Sequence, residues 1–558
     1  MDGGSLVDQV PLLPCVFGDG SRSDLALSEV FRRCHEVVGI VYEVPTMHPA
    51  VLRQLLLPIF VDALGVPATS RQWEKRFRRG RLDEAELDRL IAYLDTWRHR
   101  FDLFHPEYPF AQVAGLRTEK GETKGAGLLV ATEPTGNNVP LFASRTEGDI
   151  LALSVAAAAR WLVHAHCWDV AAIKTGVVGD PKVKGGKTSG NPTGPLGSLG
   201  VVVPVGTTLY ETLLLNTQIG VGDRLGTPQW RREPGDRGWA GGPQWSADYV
   251  PDGLLDLWTL QSRRIRFFPN NTGPSTVVDR VIVAAGDRLG GGTPDWEPHT
   301  AWRVDTPKKP NPEVRPIRPL RHAPGRAVWQ GMRGLLALEA VPGEVRTSEL
   351  LDQLAALERE KVLDHHYPLR VEVFGIEYGN QSAVIEDLYH DAMSLPVAAL
   401  RGHGEAYDLV VEAAAQAEAL SRAINRLSAD LRQALGSEPI PWDKGQRPGE
   451  QLLYALDPLV RRLLAGVGAD AEDSDKLEAG RVAWEILAYQ ATRRTARPLF
   501  EVPASAFLGR SVMNGKIERS YKLGSAANFF DKTVNDILPR AAEARIRARA
   551  ETTQSMRR

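Results

Sequence analysis

Residues 405–435 read EAYDLVVEAAAQAEALSRAINRLSADLRQAL. Leu409, Ala413, Leu420, Ile424, Leu427, Leu431 and Leu435 recur near a 3.5-residue period with charged residues between them, which predicts a long amphipathic helix. Amphipathic segments follow at 450–465, 476–495 and 533–550, joined by turns rich in Gly, Pro and Asp. Together the four predict an antiparallel four-helix bundle.

Before residue 399 the pattern differs. Residues 51–64, 82–101 and 151–166 read as helices, the second keeping Leu87, Leu90, Ile91, Leu94 and Trp97 on one face. Residues 201–205, 264–268, 276–284 and 369–377 are β-branched or alternating between turn residues and read as strands. Segments 174–200, 217–250 and 286–325 read as long irregular connections, which are usually functional or disordered. The expected fold class is α+β, with a large mixed N-terminal domain over 1–395 and a C-terminal four-helix bundle over 396–558.

A chain of 558 residues exceeds one compact core, so several domains are expected. The 67 basic and 69 acidic residues nearly cancel, which argues against a free-standing, high-affinity nucleic-acid binder. Basic residues still cluster at 71–81, 174–187, 303–326 and the C-terminus, leaving room for a local polyanion-facing surface. Cys15, Cys34 and Cys167 lie far apart, which fits a reducing compartment and no disulfide framework. The N-terminus lacks a signal-peptide pattern, and the apolar run 151–163 is too short to span a bilayer, so a cytoplasmic location is expected.

Several apparent sites fail on inspection. Gly-Gly-Lys-Thr at 185–188 suggests a phosphate-binding loop, but Pro181 stands where the motif's first Gly is needed and lacks the N–H. Around Ser198, Leu196 replaces the first Gly of a nucleophile elbow. His164 and His166 point apart on a helix, so only His164 and Cys167 could share a face. His390-Asp391 matches the paired ligands of metal-dependent HD-type phosphohydrolases, the alternative reading, although further His and Asp ligands would be needed. The expected metal and cofactor complement is therefore none, and no enzyme activity is expected. Between 174 and 200, closely spaced glycines stand beside Lys174, Lys182, Lys184 and Lys187. Glycines let backbone approach a ligand, and flexible lysines attract phosphate.

Four segments in order carry a family resemblance. They are FDLFHPEYPFAQ at 101–112, PTGNNVPLF at 134–142, TGPLGSLGVVVPVGTTLYETLLLN at 193–216 and YGNQS at 378–382. They resemble the H-x-E-x-P-F-x-Q segment, first recognition loop, glycine loop and wedge hairpin of the CasA family. That family supplies the large subunit of the type I-E CRISPR surveillance complex Cascade, and the likeness covers essentially the whole chain.

The resemblance implies recognition of the protospacer-adjacent motif (PAM) in double-stranded target DNA, largely from the minor groove. Duplex opening for guide-RNA pairing, R-loop formation and recruitment of a separate helicase–nuclease would follow. Implied partners are the guide-RNA-containing Cascade subunits CasB, CasC, CasD and CasE. Carried over, Gln381 inserts below the PAM while Asn380 and Ser382 contact its edge. Gly194, Gly197 and Ser198 match the glycine loop, and Asn137, Asn138 and Phe142 match the first loop. The chain also departs from its relatives. Segment 248–268 lacks the Cys-rich zinc module that some of them carry. Arg288 is the candidate for the family's minor-groove lysine, and Lys184 or Lys187 for the basic position that Pro195 occupies in the glycine loop.

Overall fold

The computed structural model describes residues 3–135, 146, 149–242, 248–304, 317–322, 325–336, 345–441, 447–514 and 517–556. The chain divides into two compact units. The first comprises Met1–Arg326, Ala337–Leu363 and Leu369–Ala392, and the second Ala327–Leu336, Asp364–Pro368 and Met393–Arg558.

In the first unit the helix Val155–Trp168 runs through the core. Ser154 caps it, its side chain accepting from the Ala157 N–H at 3.2 Å. Residues 158–168 of this helix are buried, so its His and Trp side chains all face protein. Around it stand short sheets. Strand Val277–Ala285 pairs antiparallel along its length with Arg263–Asn270, at its start with Leu153–Ser154 and at Arg280 and Val281 with Lys124–Gly125. Strand Val201–Val205, buried at every residue, pairs with Arg370–Tyr378, which in turn pairs with Ile385–Ser394. A strand buried throughout reads as the continuous β-branched run seen in its sequence.

The apolar stretch Met47–Leu64 is long and apolar enough to cross a membrane, but 83% of it is buried inside this unit. A π-helical segment, Leu52–Leu56, interrupts it. Segment 101–112 is held by Gln112, which donates to the Leu103 carbonyl at 2.9 Å and accepts from the Phe267 N–H at 2.8 Å. Its Ala111 sits at φ 52°, and the Ala111 carbonyl meets His166 Nε2 at 2.9 Å. The motif therefore joins a loop to both the sheet and the central helix.

The second unit is helical, as the 3.5-residue period predicts. Helix Glu405–Ala434 buries Leu409, Ala413, Leu420, Ile424, Leu427 and Leu431, and Pro448–Ala469 and Ser474–Ala496 pack beside it. The segment expected as one helix over 533–550 is two, Leu523–Ile537 and Pro539–Met556. Proline disfavours helical geometry in the residue before it and lacks the N–H to continue the ladder, so the break falls at Leu538-Pro539. Buried Glu485 accepts from the Ala541 N–H at 3.0 Å and pairs with Arg540 at 3.0 Å. Gln416 accepts from Trp484 Nε1 at 2.7 Å, completing a polar network that ties the helices together.

Candidate nucleic-acid interface

The wedge candidates sit at the tip of the hairpin formed by Arg370–Tyr378 and Ile385–Ser394. Gly379 donates to the Val384 carbonyl at 2.9 Å, and Ser382 donates back to Gly379 at 2.8 Å, closing a tight loop. Within it Gln381 and Ser382 both take φ 54°. Non-glycine residues in the left-handed region cost about 1–2 kcal/mol each, so two in succession make a strained tip. Asn380 and Gln381 are exposed, and Ser382 is half-buried.

Backbone outside the hairpin supports this strain. The Ala171 N–H donates to the Ser382 carbonyl at 2.8 Å, and the Tyr378 hydroxyl donates to the Trp168 carbonyl at 2.6 Å. Burial pushes the Tyr378 phenol far above its ordinary range, so it stays a neutral donor.

The glycine-loop candidates form a 3-10 turn, Pro195–Ser198. Gly194 donates to the Asp169 carbonyl at 2.8 Å. A Cβ on Gly194 would stand 2.3 Å from the Cys167 carbonyl, and one on Gly197 would stand 2.6 Å from the Tyr378 hydroxyl. Both glycines are buried, so the close approach they permit is to the end of helix Val155–Trp168 and to the wedge strand. Ser198 is exposed and hydrogen-bonded to the Pro195 carbonyl at 3.0 Å.

Asp169 lies between turn and wedge, with Lys174 Nζ and Arg263 Nε each 2.5 Å from its carboxylate. Burial alone would raise this carboxyl, but the two cations outweigh it and bring the pKa down to about 2. Lys174, expected from the sequence as a flexible phosphate contact, is instead buried and paired, a correction whose cause is Asp169. Burial also lowers its pKa.

Lys182, Lys184 and Lys187 are exposed. Strands Lys174–Thr175 and Lys187–Thr188 pair antiparallel, and Lys184 and Lys187 exchange backbone hydrogen bonds of 2.9 and 3.2 Å. Gly185 at φ 56° and Gly186 at φ 73° form the turn between them. Gly185-Gly186 is thus a two-residue hairpin turn with both residues left-handed, and Lys187-Thr188 is the strand that follows it. Arg288 is half-buried and binds the Ser189 carbonyl at 3.2 Å and Asn191 Oδ1 at 3.1 Å, which ties it to this segment.

A cleft of about 550 Å³ opens beside the wedge at Ala383 and is lined by Lys124, Val170, Ile173 and Arg280. Thr135 and Thr146 also line it. Asn137, Asn138 and Phe142 lie outside the described residues.

His390 faces Glu372, with its Nε2 3.2 Å from Oε2, and His48 Nδ1 is 3.2 Å from the same oxygen. Burial raises the Glu372 carboxyl, and the hydrogen bonds from His390 and His48 outweigh that and hold it well below the usual range. His164 and Cys167 do not combine: His164 Nε2 is 2.9 Å from Thr46 Oγ1, and Cys167 is a buried free thiol. Among the described residues no three His, Cys, Asp or Glu side chains form a metal-ligand set.

The family model for CRISPR-associated protein Cse1 matches residues 8–495. The chain belongs to the Cse1 (CasA) family. Thermobifida fusca Cse1 is similar at 32% identity with a TM-score of 0.79, covering 96% of this chain and 98% of that one. Acidimicrobium ferrooxidans Cse1 is similar at 30% identity and a TM-score of 0.77, covering 97% and 98%. A curated relative, CRISPR-associated protein CasA/Cse1 of Thermus thermophilus, is 27% identical over 88% of this chain and 92% of its own length. The four segments that resemble CasA therefore sit in a chain with the Cse1 fold, a mixed α+β unit with helices at its C-terminus.

Sequence reasoning missed Tyr378, Asp169, Arg263 and the Trp168–Ala172 strip. The one available signal was Arg263-Arg264 inside an apolar strand, where buried charge needs a partner. Arg264 finds Asp287 at 3.1 Å as Arg263 finds Asp169.

Proposed function

We propose that this chain is the DNA-reading large subunit of a type I-E Cascade, recognising the PAM from the minor groove and opening the adjacent duplex. The observation that carries this reading is the strained, exposed tip at Asn380–Ser382, braced by the same backbone that holds the Gly194–Ser198 turn. Strain kept at an exposed tip by outside support is the pattern of a functional element.

Gln381 would insert below the PAM, with Asn380 and Ser382 at its edge and the turn near Ser198 set against the groove. Minor-groove readout separates A·T from G·C and little else, which suits tolerance of several related PAMs. Inserting a wedge costs a few kcal/mol of unstacking, offset by the contacts that follow. Guide-RNA pairing then reads the sequence. Asn137, Asn138 and Phe142 belong to the same reading as first-loop contacts, with Lys184, Lys187 and Arg288 as basic contributors. Partners are the guide RNA, CasB, CasC, CasD and CasE, and a helicase–nuclease recruited after R-loop formation. The chain serves as a non-catalytic subunit of this cytoplasmic assembly.

The test is Gln381→Ala in reconstituted Cascade. R-loop formation should slow more than initial PAM binding weakens, and unchanged opening kinetics would refute the wedge. Purified chain with manganese or nickel and single-stranded DNA should show no cleavage. Metal-dependent cleavage abolished by His390→Ala would replace this reading with the phosphohydrolase one.

A further inference from the structure

We propose that Tyr378 and Arg263 are positioning residues that yoke the glycine turn to the wedge tip through the strip Trp168–Ala172, so that seating the turn sets the position of Gln381. The inference rests on the proposed PAM-reading function and deepens it.

Both elements end on the same five residues. From the wedge, the Tyr378 hydroxyl reaches the Trp168 carbonyl at 2.6 Å, and the Ser382 carbonyl accepts from Ala171 at 2.8 Å. From the turn, the Gly194 N–H reaches the Asp169 carbonyl at 2.8 Å, and Gly197 lies directly under the Tyr378 hydroxyl. Tyr378 therefore touches the turn and holds the strip at once.

Arg263 fixes the strip from the other side. It is almost fully buried, and its guanidinium binds the Asp169 carboxylate at 2.5 Å, the Val170 carbonyl at 3.0 Å and the Pro192 carbonyl at 2.8 Å. Pro192 lies two residues before Gly194, so one side chain joins the strip to the entry of the turn. Rigid elements sharing buried, fully hydrogen-bonded anchors move together, because breaking any one anchor leaves an unsatisfied polar group. The strip itself continues from the end of the buried helix Val155–Trp168, which gives the yoke a fixed base.

A purely stabilising role would use the same contacts, so the test reads coupling. In assembled complex, R-loop opening rates are measured for Ser198→Ala, Gln381→Ala and the double variant, with the chain otherwise native and again carrying Tyr378→Phe. Tyr378→Phe keeps the ring and removes only the hydroxyl, the group that meets both the Trp168 carbonyl and Gly197. Opening should slow about fivefold to tenfold with Tyr378→Phe, the effect of one lost buried hydrogen bond. The Ser198 and Gln381 effects should be non-additive in the native background and become additive with Tyr378→Phe. Arg263→Met should act in the same direction, and a melting curve accompanies each variant.

If Gln381→Ala slows opening while Tyr378→Phe leaves both rate and non-additivity unchanged, the yoke is refuted and the wedge stands. Slowing with Tyr378→Phe at unchanged non-additivity, in step with a lower melting temperature, also refutes the yoke. If Gln381→Ala itself has no effect, the PAM-reading function fails first.

Discussion

Two hairpin tips in the first unit solve the same geometric problem in opposite ways. At Lys184–Lys187 the left-handed positions belong to Gly185 and Gly186, so the turn costs nothing in side-chain clash. At the wedge the left-handed positions belong to Gln381 and Ser382, and Ala171 and Tyr378 must hold them. The first tip is a local product of its sequence that displays two exposed lysines. The second is a side-chain-bearing tip kept in a costly conformation by distant backbone. A relaxed tip suits diffuse phosphate attraction, whereas a braced tip can place one side chain at one base pair.

The largest effect of a single substitution should come at the packing beneath the glycine turn. Gly194→Ala puts a methyl group 2.3 Å from the Cys167 carbonyl, backbone that cannot swing aside. It should destabilise the chain by about 3 kcal/mol in chemical denaturation and disable PAM binding. A variant as stable as the parent would mean the turn does not depend on this packing.

Next comes the acid response. Burial lowers the His164 pKa to about 3 and those of His166 and His322 to about 4, all below the ordinary imidazole value near 6.5. The unfolded chain therefore takes up protons first as pH falls. Stability from these groups is complete above about pH 6.5 and falls below it, by up to about 1.4 kcal/mol per pH unit for each imidazole. Asp169, held at about 2, adds a loss that begins near pH 4 and is complete below about pH 2. Denaturation midpoints at pH 7 and pH 5 check the histidine part. Equal midpoints would show that burial does not hold His164, His166 and His322 neutral.

Gln381→Gly sharpens the comparison directly. It should raise stability by about 1 kcal/mol by relieving the left-handed strain, while R-loop opening slows as in Gln381→Ala. Gly185→Ala should do the reverse, destabilising its hairpin by about 1 kcal/mol while opening proceeds unchanged. If both glycine exchanges moved stability in the same direction, the contrast between relaxed and braced tips would collapse.

The smallest effect belongs to the lysines. Lys184→Ala and Lys187→Ala should each weaken DNA capture by the complex about equally across sequences and reduce the salt-dependence slope by about 1. A sequence-selective loss would make them base readers instead.

Much of the fold was legible because its signals are local. Val201–Val205 is a strand because a run of β-branched residues suits a pleated, buried site, and Glu405–Ala434 is a helix because its leucines recur on one face. The division at Leu538-Pro539 was equally written in the sequence, yet the run of helix formers around it hid the break. Site residues were legible only as types. Asn380, Gln381 and Ser382 stood out through resemblance, but nothing in YGNQS predicts two left-handed residues without glycine. Lys174 was misread for the same reason. Its neutralising partner lies five residues away across a turn, and the Arg263 that shares it lies on another strand.

By itself, then, the sequence determined the helical C-terminal part, the strands Val201–Val205, Arg263–Asn270, Val277–Ala285 and Arg370–Tyr378, and the family to which the chain belongs. These depend on periodicity, propensity and motif order, which act over a few residues. The tertiary structure alone decided what Gly194 and Gly197 are small for, which lysines reach solvent and what supports the wedge. Each of those depends on which distant atom is brought within about 3 Å, hydrogen-bonding distance, and neither composition nor spacing encodes that.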